Sequence, residues 1–379
     1  MRLLVAGITG QLGAGIVESC DAELVDLVPL ARPLATRGAS ARLRSAFPDR
    51  ADLAAEAVEG DVTREHWGLD AATLRRLAVE VDGVLNVAGA TNWAGDKRQL
   101  HAVNVLGALR GYQLAQALGE AAGTRKLYCY ASSIHAAGGA EGSLPELPFG
   151  RHEHRTAYEL SKWLGETSLL EKARRDRDDG PALCIARIGG LVGNSVTGAT
   201  SRRNSLYMLA DRLEDLPLGV LPISRGGRVD MLHRDVAAGL LLDALRALHE
   251  RPNEEPEIVH VCAGESAPTT EAVFRALDSV DHAHRRRRPR TLRVPIGALL
   301  ATSEQLRRYH DVPRKWNNLL IGLRYLSLDR IFERPRLASL LDRALPSVSI
   351  EALVRSAFEL PERSLAPAGD ETTLARFAG

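Results

Sequence analysis

Short apolar runs recur at residues 3–6, 24–28, 84–87, 126–131, 182–187 and 258–262. Helical patterns separate them, beginning near Gly13, Ser40, Asp70, Asp96, Thr156 and Asp235. Each of these is long enough to cross from one parallel strand to the next, so the alternation predicts an α/β fold with a Rossmann-like, doubly wound parallel sheet. Right-handed crossovers leave few topologies. Pro29 lacks the donor that an interior strand needs, which predicts that pairing of the second strand stops near Val28.

After Arg187 the pattern loosens into Gly-rich, polar sequence, then a helical stretch at 201–214, a segment at 219–232 and a C-terminal portion from about 266. The expected organisation is a dinucleotide-binding domain over 1–265 and a smaller C-terminal substrate lobe over 266–365. Residues 190–232 contribute to that lobe. Residues 366–379 are small, polar and charged, and read as a frayed tail.

Composition narrows the function without choosing it. The chain has 379 residues, 45% apolar and 26% charged, enough to bury a large core. Lys and Arg total 49 against 48 acidic residues, a net charge of +1 that gives no general case for nucleic acid or an anionic membrane. The opening Met1-Arg2-Leu3-Leu4-Val5-Ala6-Gly7 is too short for a secretory segment or a membrane span, so a cytoplasmic location is expected. Cys20, Cys129, Cys184 and Cys262 show no CxxC spacing and read as buried, reduced thiols. His135, His152 and His154 have no acid or thiol at ligand spacing, so they read as pocket or loop histidines and no metal site is expected.

The first run leads directly into Gly7-Ile8-Thr9-Gly10-Gln11-Leu12-Gly13, a GxTGxxG loop that opens a helix. Glycines let the backbone approach a pyrophosphate, and the helix N-terminus presents unpaired N–H groups to it. Where an NAD enzyme carries an acid for the ribose 2′-hydroxyl, this chain reads Leu30-Ala31-Arg32-Pro33. An arginine there grips a 2′-phosphate, which favours NADP(H), and Arg42 is a second candidate or a solvated helix residue. Asp61 and Val62 end the expected third strand, where the carboxylate suits the adenine amino group. Val87, Ala88 and Gly89 offer small residues over which a cofactor can lie. Arg187 and Ile188, at a later strand end, complete the expected cofactor set.

Tyr158 and Lys162 stand at i and i+4 on one helical face. A neighbouring ammonium favours phenolate and should lower the tyrosine toward working pH. The run Tyr128-Cys129-Tyr130-Ala131-Ser132-Ser133 ends a strand in two hydroxyls, of which Ser133 is the one expected to bond the reacting oxygen. Asn104 is a candidate for holding a water in the proton path.

Taken together, these residues resemble an extended short-chain dehydrogenase/reductase over roughly residues 1–265. The nearest branch is that of fatty acyl-CoA reductases and carrier-protein thioester reductase domains. The resemblance implies that Gly7 to Gly13 bind the cofactor phosphates and that Arg32 contacts NADPH. It also implies that Ser133, Tyr158 and Lys162 are the catalytic hydroxyl, tyrosine and lysine. Two features depart from that branch: Asn86 to Trp93 replace an alanine-rich, His-containing turn, and Ser133 stands where threonine is frequent.

The expected reaction is NADPH-dependent reduction of an acyl thioester, on a carrier protein or CoA, to an aldehyde, with further reduction to the alcohol open. Reduction of a free aldehyde or ketone and sugar epimerisation with NAD are the enzymatic rivals. A non-catalytic NADP(H) sensor or scaffold is the other class. The run of Arg285, Arg286, Arg287, Arg288 and Arg290 is either a solvated loop or a grip for an acidic carrier or a CoA phosphate.

Overall fold

Leu3 and Val5 of strand β1 (Arg2–Ala6) enter one hydrophobic cluster, whereas Leu4 and Ala6 enter another. That two-residue alternation, apolar on both sides, is what a strand covered by helices on both faces requires. The computed structural model describes residues 1–33, 37–93, 95–200, 207, 220–223, 226–279, 290–293, 325 and 327–358.

In chain order β1 is followed by β2 (Asp26–Ala31), β3 (Val58–Glu59), β4 (Gly83–Asn86), β5 (Leu127–Ser133), β6 (Gly142–Leu144) and β7 (Ala182–Ile188). Then come β8 (Gly190–Val192), β9 (Val220–Ile223), β10 (Met231–His233), β11 (Glu257–Val261), β12 (Arg290–Arg293) and β13 (Arg330–Phe332). Seven of these form one parallel sheet in the order β11-β7-β5-β4-β1-β2-β3. The chain winds outward through β2 and β3, then restarts at β4 on the other side of β1. The crevice between β1 and β4 is therefore the topological switch point, where doubly wound sheets bind ligands.

One face of the sheet is covered by α1 (Gln11–Ser19), α2 (Ala39–Ala46), α3 (Ala51–Ala55) and the helix Arg234–Glu250. On the other face, α4 (Ala71–Glu80) is followed by the short α5 (Lys97–His101) and a π-helical turn at Ala102–Leu106. These lead into α6 (Gly107–Ala122), and α7 (Ala157–Arg175) completes the layer. Among the described residues no helix is long and apolar enough to cross a membrane.

The expected strands and helices appear close to their expected places, with two corrections. Pro29 does not end β2; it lies in register with Val5, and pairing continues to Ala31. The partner on the outer side, β3, joins only at Leu30 and Ala31, so a missing donor facing that side breaks no ladder at position 29. The third strand ends earlier than expected, at Glu59, because the Asp61 N–H turns away to the Trp67 carbonyl.

Residues of the expected C-terminal lobe return to the main domain. Strand β13 pairs with β6, and the helix Pro335–Leu341 receives its N-terminal support from Glu146, which accepts from the N–H groups of Arg336 (2.6 Å) and Leu337 (3.3 Å). The stretches 201–206, 208–219 and 359–379, and Arg285, Arg286, Arg287 and Arg288, lie outside the described residues.

Candidate active site

At the switch point, Gly7 adopts φ +89°, and a side chain on it would meet the backbone of Ala88 at 2.4 Å. A Cβ on Gly13 would lie 2.3 Å from the Ile8 carbonyl oxygen. These two glycines let the loop turn against β4 and let α1 start tightly beneath it. Gly10 caps α1 with no side-chain bond, and no acid occupies the first turn. That N-terminus therefore keeps donors and positive dipole for an anion. Leu12 is buried beneath it, while Gln11 bridges outward to the Val192 carbonyl and Thr200.

Arg42 on α2 returns to this loop, donating to Thr9 Oγ1 and to the carbonyl of Arg32, both at 3.2 Å. The fold thus gathers Thr9, Arg32 and Arg42, which the sequence separates by more than a helix. Glu59 is the acid nearest this corner in the β2–β3 register, and its Oε1 accepts from the Ala39 N–H (3.1 Å) at the start of α2. Asp61 remains partly exposed, but its Oδ1 is occupied by the N–H and hydroxyl of Thr63. Val62 packs against Gly107, and Val87 and Ala88 line the end of β4. A Cβ at Gly89 would lie 3.6 Å from both Lys162 Nζ and Asn104 Oδ1, at ordinary van der Waals distance, which sets Gly89 beside the lysine. A dinucleotide fits these features: uncapped donors for its phosphates, basic groups beyond them, and glycine backbone beside Lys162.

Thr156 starts α7 by accepting from the Glu159 N–H (3.1 Å), which sets Tyr158 in the first turn and Lys162 one turn on. Tyr158 lies beside Ser133 at the end of β5, close enough for that hydroxyl to favour the phenolate. Ser133 Oγ also accepts from the His135 N–H (3.2 Å), which leaves its own hydrogen free to point toward the phenol. Burial pushes the Tyr158 phenol up, and the Ser133 hydroxyl only opposes this. The expected lowering is therefore reversed here, because loss of solvent dominates in a fully buried ring.

Lys162 is buried too. Its Nζ donates to the Ala131 carbonyl (2.8 Å) and Tyr130 Oη (3.2 Å), and burial lowers the amine to about 7 against the opposing charge of Glu166. Tyr130 Oη in turn donates to the Asn104 carbonyl (2.9 Å), which lies in the π-helical turn. The side chain of Asn104, the candidate water holder, is engaged by protein. Its amide bonds Ala90 O and Ser161 Oγ, and its Oδ1 accepts from Ala90 N–H, each at 2.9 Å. It staples the loop after β4 to α7.

Arg187 corrects another expectation. Its guanidinium is fully buried, forms a two-pronged pair with Glu166 (2.8 and 3.1 Å), bonds the Leu147 carbonyl and His260, and stacks 3.4 Å over Phe149. It supports the sheet behind the site. Ile188 ends β7 opposite Ser133 and is buried in the core. Sequence reasoning did not single out Glu166, Tyr130, Arg330, Trp93 or Tyr325. Only Glu166 left a signal, since it continues the Tyr158 and Lys162 face at the next i+4 step.

The doubly wound parallel sheet and the glycine turn at its switch point define a dinucleotide-binding fold of the Rossmann type. Residues 5–240 match the NAD-binding family described as male sterility protein, and the chain belongs to that family. It is 27% identical over 297 residues to the glycine betaine reductase of Emericella nidulans, spanning 74% of this chain and 22% of that protein. It is 29% identical over 232 residues to the L-2-aminoadipate reductase large subunit of Penicillium chrysogenum, spanning 55% of this chain and 16% of that one. The chain thus spans about a fifth of the length of these curated relatives. Its fold matches the terminal R domain from the myxalamid PKS-NRPS biosynthetic pathway with a TM-score of 0.71 and 21% identity, over 94% of this chain and 89% of that domain.

Proposed function

We propose that the protein uses NADPH to reduce an acyl thioester, presented by a carrier protein or CoA, to an aldehyde. The observation that carries this reading is Ser133 beside Tyr158 at the end of β5, with Lys162 one helical turn on and Gly89 next to its amine. Two relatives named as reductases favour reduction over epimerisation. NADPH rather than NADH is favoured by Arg32 and Arg42 beside Thr9 and by the absence of an acid at the end of β2.

The nicotinamide, when bound, supplies a hydride to the carbonyl carbon. Tyr158 gives its proton to the developing oxyanion, and a phenol kept protonated by burial is suited to that role. Ser133, whose Oγ accepts from the His135 N–H, turns its hydroxyl hydrogen from the phenol to the same oxygen and orients it. Lys162, tied through Tyr130 to the Asn104 carbonyl and lowered by burial to about 7, can take and return the proton with which the phenol is restored. Collapse of the resulting hemithioacetal returns a thiol and an aldehyde, so one hydride and one proton balance the step.

The test is NADPH oxidation with an acyl carrier-protein thioester, an acyl-CoA, an aldehyde and a ketone, with the aldehyde product trapped. Turnover of a thioester to aldehyde is the expected result. Turnover of the free carbonyls alone supports the simple carbonyl reductase, and tight NADPH binding with no oxidation supports a sensor.

A further inference from the structure

His135 sits two residues beyond Ser133 on the 3-10 turn Ile134–Ala137, so one short segment brings both residues to the site. Its ring is walled by aromatic side chains, with centroid separations of 4.5 Å to Tyr325, 6.0 Å to Trp93 and 6.4 Å to Tyr158. On the remaining side, Nδ1 lies 3.3 Å from Nη2 of Arg330. A guanidinium only donates hydrogen bonds, so Nδ1 must accept, and the ring hydrogen must sit on Nε2. Arg330 is itself held in place, since it is buried on β13 and its Nη1 donates to the Gly138 carbonyl (3.1 Å).

The ring is also held neutral. Burial opposes a second proton first, and the charges of Arg330 and Arg155 add to it, so His135 is pushed well below the usual histidine value. Arg155 donates to the same Gly138 carbonyl (2.7 Å) and is paired with Glu159 (2.6 Å), which removes most of that carboxylate's pull on the ring. The other groups facing His135 are the phenols of Tyr158 and Tyr325, both pushed up by burial and uncharged at neutral pH. Arg330 itself falls only to about 10 and stays charged. Nε2–H is thus a fixed donor, without a hydrogen-bond partner among the described residues, on a partly exposed side chain beside the reactive phenol.

We infer that His135 is a further catalytic residue: its neutral Nε2–H donates to the carbonyl oxygen of the bound acyl group, beside Ser133 and Tyr158. It transfers no proton; Tyr158 supplies that, and His135 only stabilises the charge that builds on oxygen. The inference rests on the reductase reading above.

The test combines kinetics with nitrogen NMR of histidine-labelled protein. His135→Phe should lower kcat about 10²–10³-fold, the range for loss of one oxyanion donor, whereas His135→Gln, which keeps an N–H, should recover at least a tenth of wild-type kcat. The resonances that vanish in His135→Phe should be those of an Nε2–H tautomer that does not titrate between pH 5 and 8. In Arg330→Met the ring should take its second proton at a higher pH than in wild type, because one of the two guanidinium charges opposing it is gone while burial and Arg155 remain. Wild-type kcat in His135→Phe, a change in KM alone, or an Nδ1–H tautomer overturns the inference while leaving the reductase reading intact. Failure of the wild-type protein to reduce any carbonyl substrate overturns the reductase reading, and this inference falls with it.

Discussion

Burial leaves the Lys162 amine at about 7, whereas an unfolded lysine titrates near 10.4. Below pH 7 both states carry the proton and the cost of burying the charge is fully felt. Between about 7 and 10.4 the unfolded chain binds a proton that the native state does not, so this residue makes stability rise with pH across that window. Urea midpoints measured from pH 6.5 to 9.5 should climb in wild type relative to Lys162→Met, and parallel curves would refute the assignment. Tyr158 has a separate consequence. Tyr158→Phe removes the proton donor, and kcat should fall about 10²–10⁴-fold while NADPH affinity, measured by fluorescence titration, stays within a few-fold. Arg32→Ala should weaken NADPH binding and leave NADH binding nearly unchanged; equal losses would show that Arg32 does not read the 2′-phosphate. These residues were readable in the sequence because strand-loop-helix context and i+4 spacing are local facts. The direction of the Tyr158 shift was not, because it depends on how much water the surrounding elements exclude.

Helix α7 joins the chemistry to the support behind it. Tyr158, Lys162 and Glu166 follow at four-residue steps, the first beside Ser133, the second against Ala131 and Tyr130 of β5, and the third toward Arg187 on β7. Glu166 also accepts from Ser132, so neighbouring serines at the end of β5 serve opposite faces, as strand geometry demands. Glu166→Gln keeps the shape but leaves the Arg187 charge buried and uncompensated, at an expected cost of about 3–5 kcal/mol, readable by denaturant unfolding. The same change removes the negative charge that supports the Lys162 ammonium, so the lysine should titrate below 7 in that variant. Sequence reasoning placed Arg187 at the cofactor because its position at a strand end suited that role. Which face a strand-terminal side chain takes depends on neighbouring strands and on a helix that arrives from elsewhere in the chain.

Across the whole molecule, the C-terminal stretch is part of the main domain's stability as well as its pocket. The buried Glu146 carboxylate accepts from the N–H groups of His260 (2.8 Å), Arg336 and Leu337, joining β11 to the helix Pro335–Leu341. Glu146→Ala would strand these donors, at about 1–3 kcal/mol for each one left unsatisfied, and thermal unfolding should show one lowered transition for the entire domain. Two separate transitions would mean that residues 330–341 fold apart from the sheet. The sequence by itself determined the alternation of strands and helices, the glycine turn, the Tyr158–Lys162 pair and Ser133, since each is written within a few neighbouring residues. Only the tertiary structure decided that Asn104 staples a loop, that Arg187 supports the core, and that Arg330 faces His135 across nearly two hundred residues. Those contacts depend on long-range chain return and on solvent exclusion, and neither leaves a periodic trace in the order of amino acids.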